Sequence, residues 1–207
     1  MSLLFVFDLD DTLFDYDWRQ RMAALTELTG HDLGELRRRW WNLEGEGRAE
    51  AGGYPDGAAY LAAANAALER SIGVADWLAA RRSAMTPRPG ALAAVARASE
   101  LGRVSVLTNN GPLIHERLSE LVPELVPLFG REHLRASASY GARKPDPEVY
   151  RAMLRSYDAR PEDTFFADDL PENIASAAGL GITAHLYRDP GALRAAIEEF
   201  AASRVRA

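Results

Sequence analysis

Short apolar runs alternate with segments of helical periodicity along most of the chain. Five runs have the length of β-strands, the last of them weaker than the rest: Leu3–Phe7, Val104–Leu107, Thr164–Ala167, Thr183–Leu186 and Leu134–Ser139. Between the runs lie predicted helices, several of which begin near a proline or end at a glycine: Pro89–Leu101, Leu113–Leu121, Pro147–Tyr157, Pro171–Ala178 and Pro190–Ala202. This alternation favours an α/β fold with a doubly wound, mainly parallel sheet that helices cover on both faces.

A different pattern covers the region from Asp15 to Pro87, where we find no convincing strand. It contains a glycine-rich loop, Glu44–Gly57, and four predicted helices: Arg19–Leu28, Asp32–Leu43, Gly57–Glu69 and Ala75–Ala84. We therefore predict a four-helix insertion over residues 15–87, which we call the cap, in an α/β core formed by residues 1–14 and 88–207. The cap could simply complete the core, but we favour a lid because it leaves the core directly after an acidic cluster.

The composition is that of a globular protein and excludes several functional classes. Of 207 residues, 47% are hydrophobic and 26% are charged, and the net charge of −6 argues against a broad basic surface for nucleic acid. The absence of cysteine excludes disulfides, thiolate metal sites and cysteine nucleophiles. No run approaches the ~18 apolar residues of a membrane span, and the N-terminus lacks the basic region of a signal peptide. We expect a cytoplasmic monomer or homodimer that binds neither nucleic acid nor membrane.

Two aspartates follow the first apolar run at a spacing of two residues. Alternate residues of an extended chain point to the same side, so Asp8 and Asp10 can face one small volume at the end of the strand. Two carboxylates at such a distance repel each other unless a cation or a shared proton lies between them. From this stretch alone, a solvated acidic turn and a cation site both remain open.

Polar segments recur at the ends of the predicted strands. In a parallel sheet ligands bind beyond the carboxyl ends of the strands, and Asp8, Thr108 and Asp168 all fall at that edge. The segments are Asp8–Thr12, Leu107–Gly111, Arg143–Pro147 and Phe165–Asp169, with Asn173 one turn into the next helix. Together they supply carboxylates, a hydroxyl and an ammonium group, which suits the binding of a phosphoryl group through a hard cation.

Lys144 is distinguished by the composition of the chain itself. Of the 24 basic residues, 23 are arginine and this one is lysine. Lysine is a compact point charge, whereas arginine is a broad planar fork. A crowded site beside a metal and a nucleophile favours the smaller cation, so we interpret Lys144 as a functional residue rather than a remnant of a drift towards arginine.

The four segments, in this order, resemble the motifs of the haloacid dehalogenase-like (HAD) superfamily, whose helical cap is inserted at the same place. The D-x-D-x-T form of Asp8–Thr12 is similar to the phosphatase and phosphotransferase branch, because dehalogenases have a different residue where Asp10 stands. The run Phe166–Ile174 is similar to sugar-phosphate phosphatases such as α-glucose-1-phosphate phosphatase. The resemblance therefore implies a Mg²⁺-dependent phosphatase of a small phosphorylated metabolite, with a sugar phosphate favoured.

The resemblance also implies catalytic roles for single residues. Asp8 would be the nucleophile that forms an aspartyl-phosphate. Asp10 would protonate the leaving group and then activate water. Thr108 and the backbone N–H of Asn109 would bind phosphoryl oxygens, and Lys144 would neutralise charge on the phosphoryl group and on Asp8.

A magnesium site is implied at the same strand ends. Its ligands would be the Asp8 carboxylate, the Asp10 backbone carbonyl and Asp169, with Asp168 bound directly or through water. Asn173 would orient Asp169 or cap the following helix.

Three other functions and a set of cap residues remain open. A phosphomutase similar to β-phosphoglucomutase would use Asp8 and Asp10 in the same way. Asp10 and the acidic pair Asp168 and Asp169 argue against a dehalogenase, and a non-catalytic binding module is disfavoured because no expected catalytic residue is missing. In the cap, one residue of the pair Trp40 and Trp41 should pack in the core while the other contacts substrate, because adjacent helical residues point about 100° apart. The hinge segment Asp15–Trp18 is a second candidate for substrate contact.

Overall fold

The computed structural model describes residues 3–205 of the chain. Within this range seven strands form: β1 Leu4–Phe7, β2 Phe14–Tyr16, β3 Met85–Pro87, β4 Arg103–Thr108, β5 Leu134–Ala136, β6 Thr164–Asp168 and β7 Thr183–Leu186. The same residues form eleven α-helices: α1 Trp18–Thr29, α2 Leu33–Arg39, α3 Arg48–Glu50, α4 Gly57–Leu68, α5 Val74–Arg82, α6 Pro89–Leu101, α7 Pro112–Leu121, α8 Val126–Phe129, α9 Pro147–Tyr157, α10 Pro171–Ala178 and α11 Pro190–Val205. None of these helices is both long enough and apolar enough to cross a lipid bilayer.

The main sheet places β1 at its centre. In the described part of the chain five parallel strands follow the order β5–β4–β1–β6–β7. The predicted doubly wound α/β fold is therefore confirmed. All four residues of β1 are buried, which explains why this strand is a continuous apolar run rather than an alternating one.

Alternate residues of β1 supply two separate hydrophobic clusters, one on each face of the sheet. Phe5 and Phe7 belong to the larger cluster, whereas Leu4 and Val6 belong to the smaller one. This division follows from the two-residue period of a strand. The central strand is thus held from both sides, which fixes the position of the residues that follow it.

The helices predicted for the cap are present as α1, α2, α4 and α5. The prediction that this region contains no strand is wrong, because β2 and β3 pair antiparallel where the chain enters and leaves the cap. Each of these strands has three residues, too few for an alternating pattern to appear in the sequence. The proposed boundaries of core and cap remain predictions.

Three further boundaries differ from the sequence prediction. The predicted loop Glu44–Gly57 contains a π-helical turn, Leu43–Gly47, and helix α3. A Cβ atom on Gly45 would lie 2.1 Å from the Trp40 carbonyl oxygen, so this glycine permits a close helical approach instead of marking a loop. The second cap helix ends at Arg39 rather than Leu43, and β5 gives way after three residues to a 3₁₀ turn, Ser137–Tyr140.

We expect Phe5→Ala to destabilise the protein by about 3–5 kcal/mol. The Phe5 ring is fully buried and contacts Phe165 and Phe200 at centroid distances of 6.0 and 5.5 Å. Urea unfolding measures the change in the free energy of unfolding. Leu43→Ala is the matched control, because Leu43 is 78% exposed and its truncation should change stability by less than ~0.5 kcal/mol.

Candidate active site

The sheet brings most of the predicted site residues to one edge. Asp8 follows β1, Thr108 ends β4 and Asp168 ends β6, so the three lie beyond the carboxyl ends of neighbouring parallel strands. The Asp8 backbone N–H also donates to the Ala167 carbonyl at 2.9 Å, which continues the β1–β6 ladder into the site. A cavity of about 300 Å³, the phosphate-side cavity, is lined by predicted residues from all four segments: Asp8, Asp10, Thr108, Asn109, Lys144, Asp169 and Asn173.

The Lys144 ammonium lies between two carboxylates at the base of this cavity. Its Nζ atom donates to Asp8 Oδ1 and to Asp168 Oδ2, each at 2.6 Å. Lys144 is 2% exposed and Asp168 is fully buried, so water screens this cluster poorly. Removing Lys144 would leave two neighbouring buried carboxylates without an opposing charge.

Asp168 is held in place by its hydrogen bonds. Besides Lys144, the carboxylate accepts from the Leu170 backbone N–H at 2.9 Å and from Asn173 Nδ2 at 2.9 and 3.0 Å. The prediction that Asn173 orients Asp169 is therefore wrong, because its amide binds the preceding aspartate instead. Three donor atoms therefore hold this carboxylate, and both of its oxygens accept hydrogen bonds.

Burial and mutual repulsion act on the acidic residues of the site. Burial raises the pKa of Asp8 well above its usual range, Lys144 opposes this effect, and Asp168 adds to it. Burial, followed by the charge of Asp168, raises the pKa of Asp169 to about 6. Both shifts mean that the ionised carboxylates would gain from an additional positive charge nearby.

The loop after β4 is fastened to the segment that carries Lys144. Asn109 Nδ2 donates to the Lys144 carbonyl at 2.8 Å, and the Lys144 backbone N–H donates to Asn109 Oδ1 at 2.9 Å. The Asn109 side chain therefore positions Lys144, while phosphate binding by its backbone stays a prediction. Asn110 Nδ2 donates to Thr108 Oγ1 at 2.9 Å, which leaves the Thr108 hydroxyl proton to serve another acceptor.

Asp10 does not join the other carboxylates. Its two oxygens instead accept from Nη2 of Arg81, a residue of cap helix α5, at 2.7 and 2.6 Å. Arg81 is 1% exposed, and the central carbon of its guanidinium lies 4.2 Å from the centroid of the Tyr16 ring. Arg81 was not predicted from the sequence. Its position 71 residues from Asp10 carries no local signal, and only the helix–hinge packing brings the two together.

Of the neighbouring tryptophans Trp40 and Trp41, one is buried and the other is half-buried, although both lie beyond Arg39, where α2 ends. Trp40 is 3% exposed and donates through Nε1 to Glu46 Oε2 at 2.9 Å. Trp41 is half-buried and lines a second cavity on the cap side of Asp10, together with Tyr16 and Trp18 of the hinge. The core position of Trp40 is confirmed, and substrate contact by the other residues stays a prediction.

The comparison with known proteins agrees with this arrangement. Residues 3–181 match the model of the hydrolase family described as haloacid dehalogenase-like hydrolase. The chain belongs to this family. Phosphatase MT3486 of Mycobacterium tuberculosis is 28% identical over an alignment of 206 residues. The alignment covers 91% of this chain and 88% of that protein.

Solved structures of HAD enzymes share the fold at lower sequence identity. The HAD family enzyme BT-2542 of Bacteroides thetaiotaomicron, in complex with magnesium and inorganic phosphate, has a TM-score of 0.72 at 19% identity, over 91% of this chain and 95% of that one. L-2-haloacid dehalogenase of Xanthobacter autotrophicus has a TM-score of 0.57 at 19% identity, over 89% and 76%. At these identities the likeness establishes the HAD fold alone.

The acidic cluster of this HAD-like hydrolase fits a hard divalent cation. One carboxylate oxygen from each of Asp8, Asp168 and Asp169 lies within 4.8 Å of the others. Mg²⁺ binds oxygen at 2.0–2.1 Å, so opposite ligands stand about 4.2 Å apart and only small shifts would be needed. The Asp10 carboxylate lies outside this cluster, and its backbone carbonyl is the group that could contribute a ligand.

Glu50 is a half-buried carboxyl of the cap whose ionisation should affect stability. Arg143 Nη1 lies 3.0 Å from Glu50 Oε2, yet burial, with the nearby charge of Glu46, raises the pKa of Glu50 to about 8. The folded state therefore binds this proton more tightly than the unfolded chain. The stability that the protonated group contributes is present below about pH 4.5 and is lost as the pH rises towards 8.

We expect Glu50→Gln to become increasingly stabilising, relative to the wild type, between about pH 4.5 and 8. The difference in the free energy of unfolding should grow by at most ~1.4 kcal/mol per pH unit, because one proton is involved. Denaturant unfolding at several pH values measures it. Glu44→Gln changes an exposed carboxylate of the same segment and is the control. A pH-independent difference for Glu50→Gln would contradict the expectation.

Proposed function

We propose that this HAD-like hydrolase is a Mg²⁺-dependent phosphatase that hydrolyses a small phosphorylated metabolite through an aspartyl-phosphate on Asp8. The observation that carries the proposal is the convergence of Lys144 on Asp8 and Asp168, at 2.6 Å each, beside Thr108 and Asp169 in one cavity. Phosphoryl transfer depends mainly on positioning and on charge stabilisation. These groups offer a nucleophile, a hydroxyl donor and fixed positive charge within a single small volume.

In the first step Asp8 attacks phosphorus. Lys144 holds Oδ1 of Asp8, so Oδ2 is the oxygen that forms the new O–P bond while the bond from phosphorus to the leaving oxygen breaks. The leaving oxygen takes a proton from Asp10. The Lys144 ammonium and the Thr108 hydroxyl stabilise the charge that spreads over the phosphoryl oxygens.

In the second step water replaces Asp8 on phosphorus. Asp10, now a carboxylate, removes a proton from the water as its oxygen attacks, and the bond between Asp8 and phosphorus breaks to release inorganic phosphate. Arg81 holds both oxygens of the Asp10 carboxylate on the cap side of the cavity, away from the acidic cluster. A positioned carboxylate of this kind contributes about 10²–10⁴-fold.

Magnesium would be held by Asp8, Asp169 and the Asp10 backbone carbonyl. The four hydrogen bonds to Asp168 favour an indirect role for that residue, through a water molecule, over direct ligation. When bound, the ion supplies positive charge that offsets the repulsion between the carboxylates and the phosphate. Lys144 already offsets part of that repulsion through its hydrogen bond to Asp8.

Two observations favour phosphate esters over haloacids as substrates. Asp10 provides a proton for a leaving alkoxide, a task that a departing halide does not require. The similar protein MT3486 is named a phosphatase, and BT-2542 was crystallised with magnesium and phosphate. The cytoplasmic location stays a prediction from the sequence.

We expect Asp8→Asn to abolish turnover of p-nitrophenyl phosphate, with a loss of about 10³-fold or more, because the amide is a poor nucleophile. Release of nitrophenolate measures the rate, and thermal unfolding checks that the variant folds. Wild-type activity should disappear in EDTA and return with Mg²⁺. Near wild-type turnover by Asp8→Asn, or full activity in EDTA, would refute the proposal.

We expect Asp10→Asn to separate the two steps. Nitrophenolate leaves without a proton, so Asp8 should still be phosphorylated and release one equivalent of nitrophenolate per enzyme in a rapid burst. Steady-state turnover should then fall by about 10²–10⁴-fold, because the base for the second step is missing. Stopped-flow absorbance measures both phases. A steady state that matches the wild type would exclude Asp10 as the base.

A further inference from the structure

A second cavity of about 340 Å³, the cap cavity, adjoins the phosphate-side cavity. The two share Asp10, Tyr16 and Asn109 in their walls. Because Asp10 faces both, a group that leaves phosphorus at Asp8 and takes its proton from Asp10 would occupy the cap cavity. Its volume lies near the lower end of the ~300–1,000 Å³ of ligand pockets, which suits a small leaving group.

Arg21 brings a buried positive charge to the wall of the cap cavity. This residue of α1 is 6% exposed, and its one hydrogen bond to a side chain runs from Nη1 to the Tyr16 hydroxyl at 3.4 Å. Nε and Nη2 are buried without a hydrogen-bond partner. A guanidinium that is buried in this way retains donors for a group that enters beside it.

Glu46 faces Arg21 but does not reach it. Glu46 Oε2 is fixed by two donors, Trp40 Nε1 at 2.9 Å and the Tyr60 hydroxyl at 2.7 Å. The other oxygen, Oε1, lies 3.9 Å from Arg21 Nη2, which is close enough for the charges to balance and too far for a hydrogen bond. The pair therefore offers a donor and an acceptor across a gap.

A hydroxyl group is the functional group that complements this gap. It can accept from the guanidinium and donate to the carboxylate at the same time. A hydrocarbon would leave both groups buried without partners, which is unfavourable. A carboxylate would meet Glu46 as a like charge, and the Arg21 charge that would attract it is already balanced.

The remaining walls are also suited to a hydroxylated carbon skeleton. Trp41, stacked on Trp77 at 5.7 Å, and the Tyr16 ring supply apolar surface beside the polar pair. Glu50 lines the same cavity, and its raised pKa of about 8 keeps it protonated at neutral pH, so it can donate as well as accept. Arg37 lines the cavity as well and lies over the Trp18 ring at 5.2 Å from the ring centroid. The cavity thus combines aromatic faces with several hydrogen-bonding groups.

We infer that the cap cavity receives an uncharged, hydroxyl-bearing leaving group, of the kind found in polyol and monosaccharide phosphates, and that Arg21 and Glu46 recognise one of its hydroxyls. Arg21 and Glu46 are then specificity-determining residues of the cap. This inference rests on the proposed phosphatase activity, because it takes the position of the leaving group from Asp8 and Asp10.

Three esters with the same three-carbon skeleton test the inference. Glycerol 3-phosphate carries two free hydroxyls, propyl phosphate carries none, and 3-phosphoglycerate replaces one end with a carboxylate. We expect the wild type to prefer glycerol 3-phosphate over each of the others by about 10- to 100-fold in kcat/KM. Equal use of propyl phosphate, or a preference for 3-phosphoglycerate, would overturn the inference.

Variants assign the preference to the pair. Arg21→Gln and Glu46→Gln should each remove most of the preference for glycerol 3-phosphate, while turnover of propyl phosphate stays within about 3-fold of the wild type. Glu27→Gln is the matched control, because Glu27 is exposed on the same helix as Arg21 and does not line the cavity. If Arg21→Gln does not fold, Arg21→Lys, which keeps the charge and loses the fork, replaces it. A preference that survives in both folded variants would exclude these residues as its source.

Failure of the inference can be told apart from failure of the proposed function. Hydrolysis of p-nitrophenyl phosphate that is lost in Asp8→Asn, together with no preference among the three esters, would refute the role of Arg21 and Glu46 alone. No Asp8-dependent hydrolysis of any phosphate ester would refute both.

Discussion

The buried ion cluster of Lys144 with Asp8 and Asp168 is the interaction on which the site depends. Two carboxylates at adjacent strand ends are brought together by the parallel pairing of β1 and β6, and without a cation this arrangement would be unfavourable. The ammonium contacts both at 2.6 Å, and Asn109 holds the backbone of the same lysine to the loop after β4. Lys144 therefore connects three strand ends, two through its ammonium group and one through its backbone.

Much of this cluster could be predicted from the sequence because its parts are local. Asp8, Thr108 and Asp168 each follow an apolar run directly, and parallel strands end at one edge of the sheet, so their proximity follows from the fold class. Lys144 stood out as the single lysine among 24 basic residues. The fold class was predictable for the same reason, since alternating strands and helices are visible in hydrophobic periodicity.

The rest depended on contacts between distant segments. Arg81 and Asp10 are 71 residues apart, and Tyr60 reaches Glu46 across 14. Arg21 and Glu46 lie on separate cap segments, α1 and the π-helical turn, and no local sequence pattern links them. The strands β2 and β3 were too short to show an alternating pattern. Gly45 permits a close approach to the Trp40 carbonyl, but in the sequence a glycine at this position equally indicates a loop. Asn173 was assigned to the wrong aspartate because spacing alone does not separate adjacent carboxylates.

The pairing of β2 with β3 has a consequence for how this chain can change. The Asp17 backbone N–H donates to the Ala84 carbonyl, and the Arg88 backbone N–H donates to the Leu13 carbonyl, each at 2.9 Å. The entry and exit of the helical segment are thus held side by side, and the entropy cost of closing the loop between them grows only slowly with its length. Substitutions, insertions and deletions between these two points can remodel the cap cavity while the strand ends keep their geometry. Selectivity can therefore change without loss of the chemistry as long as Arg81 continues to hold Asp10.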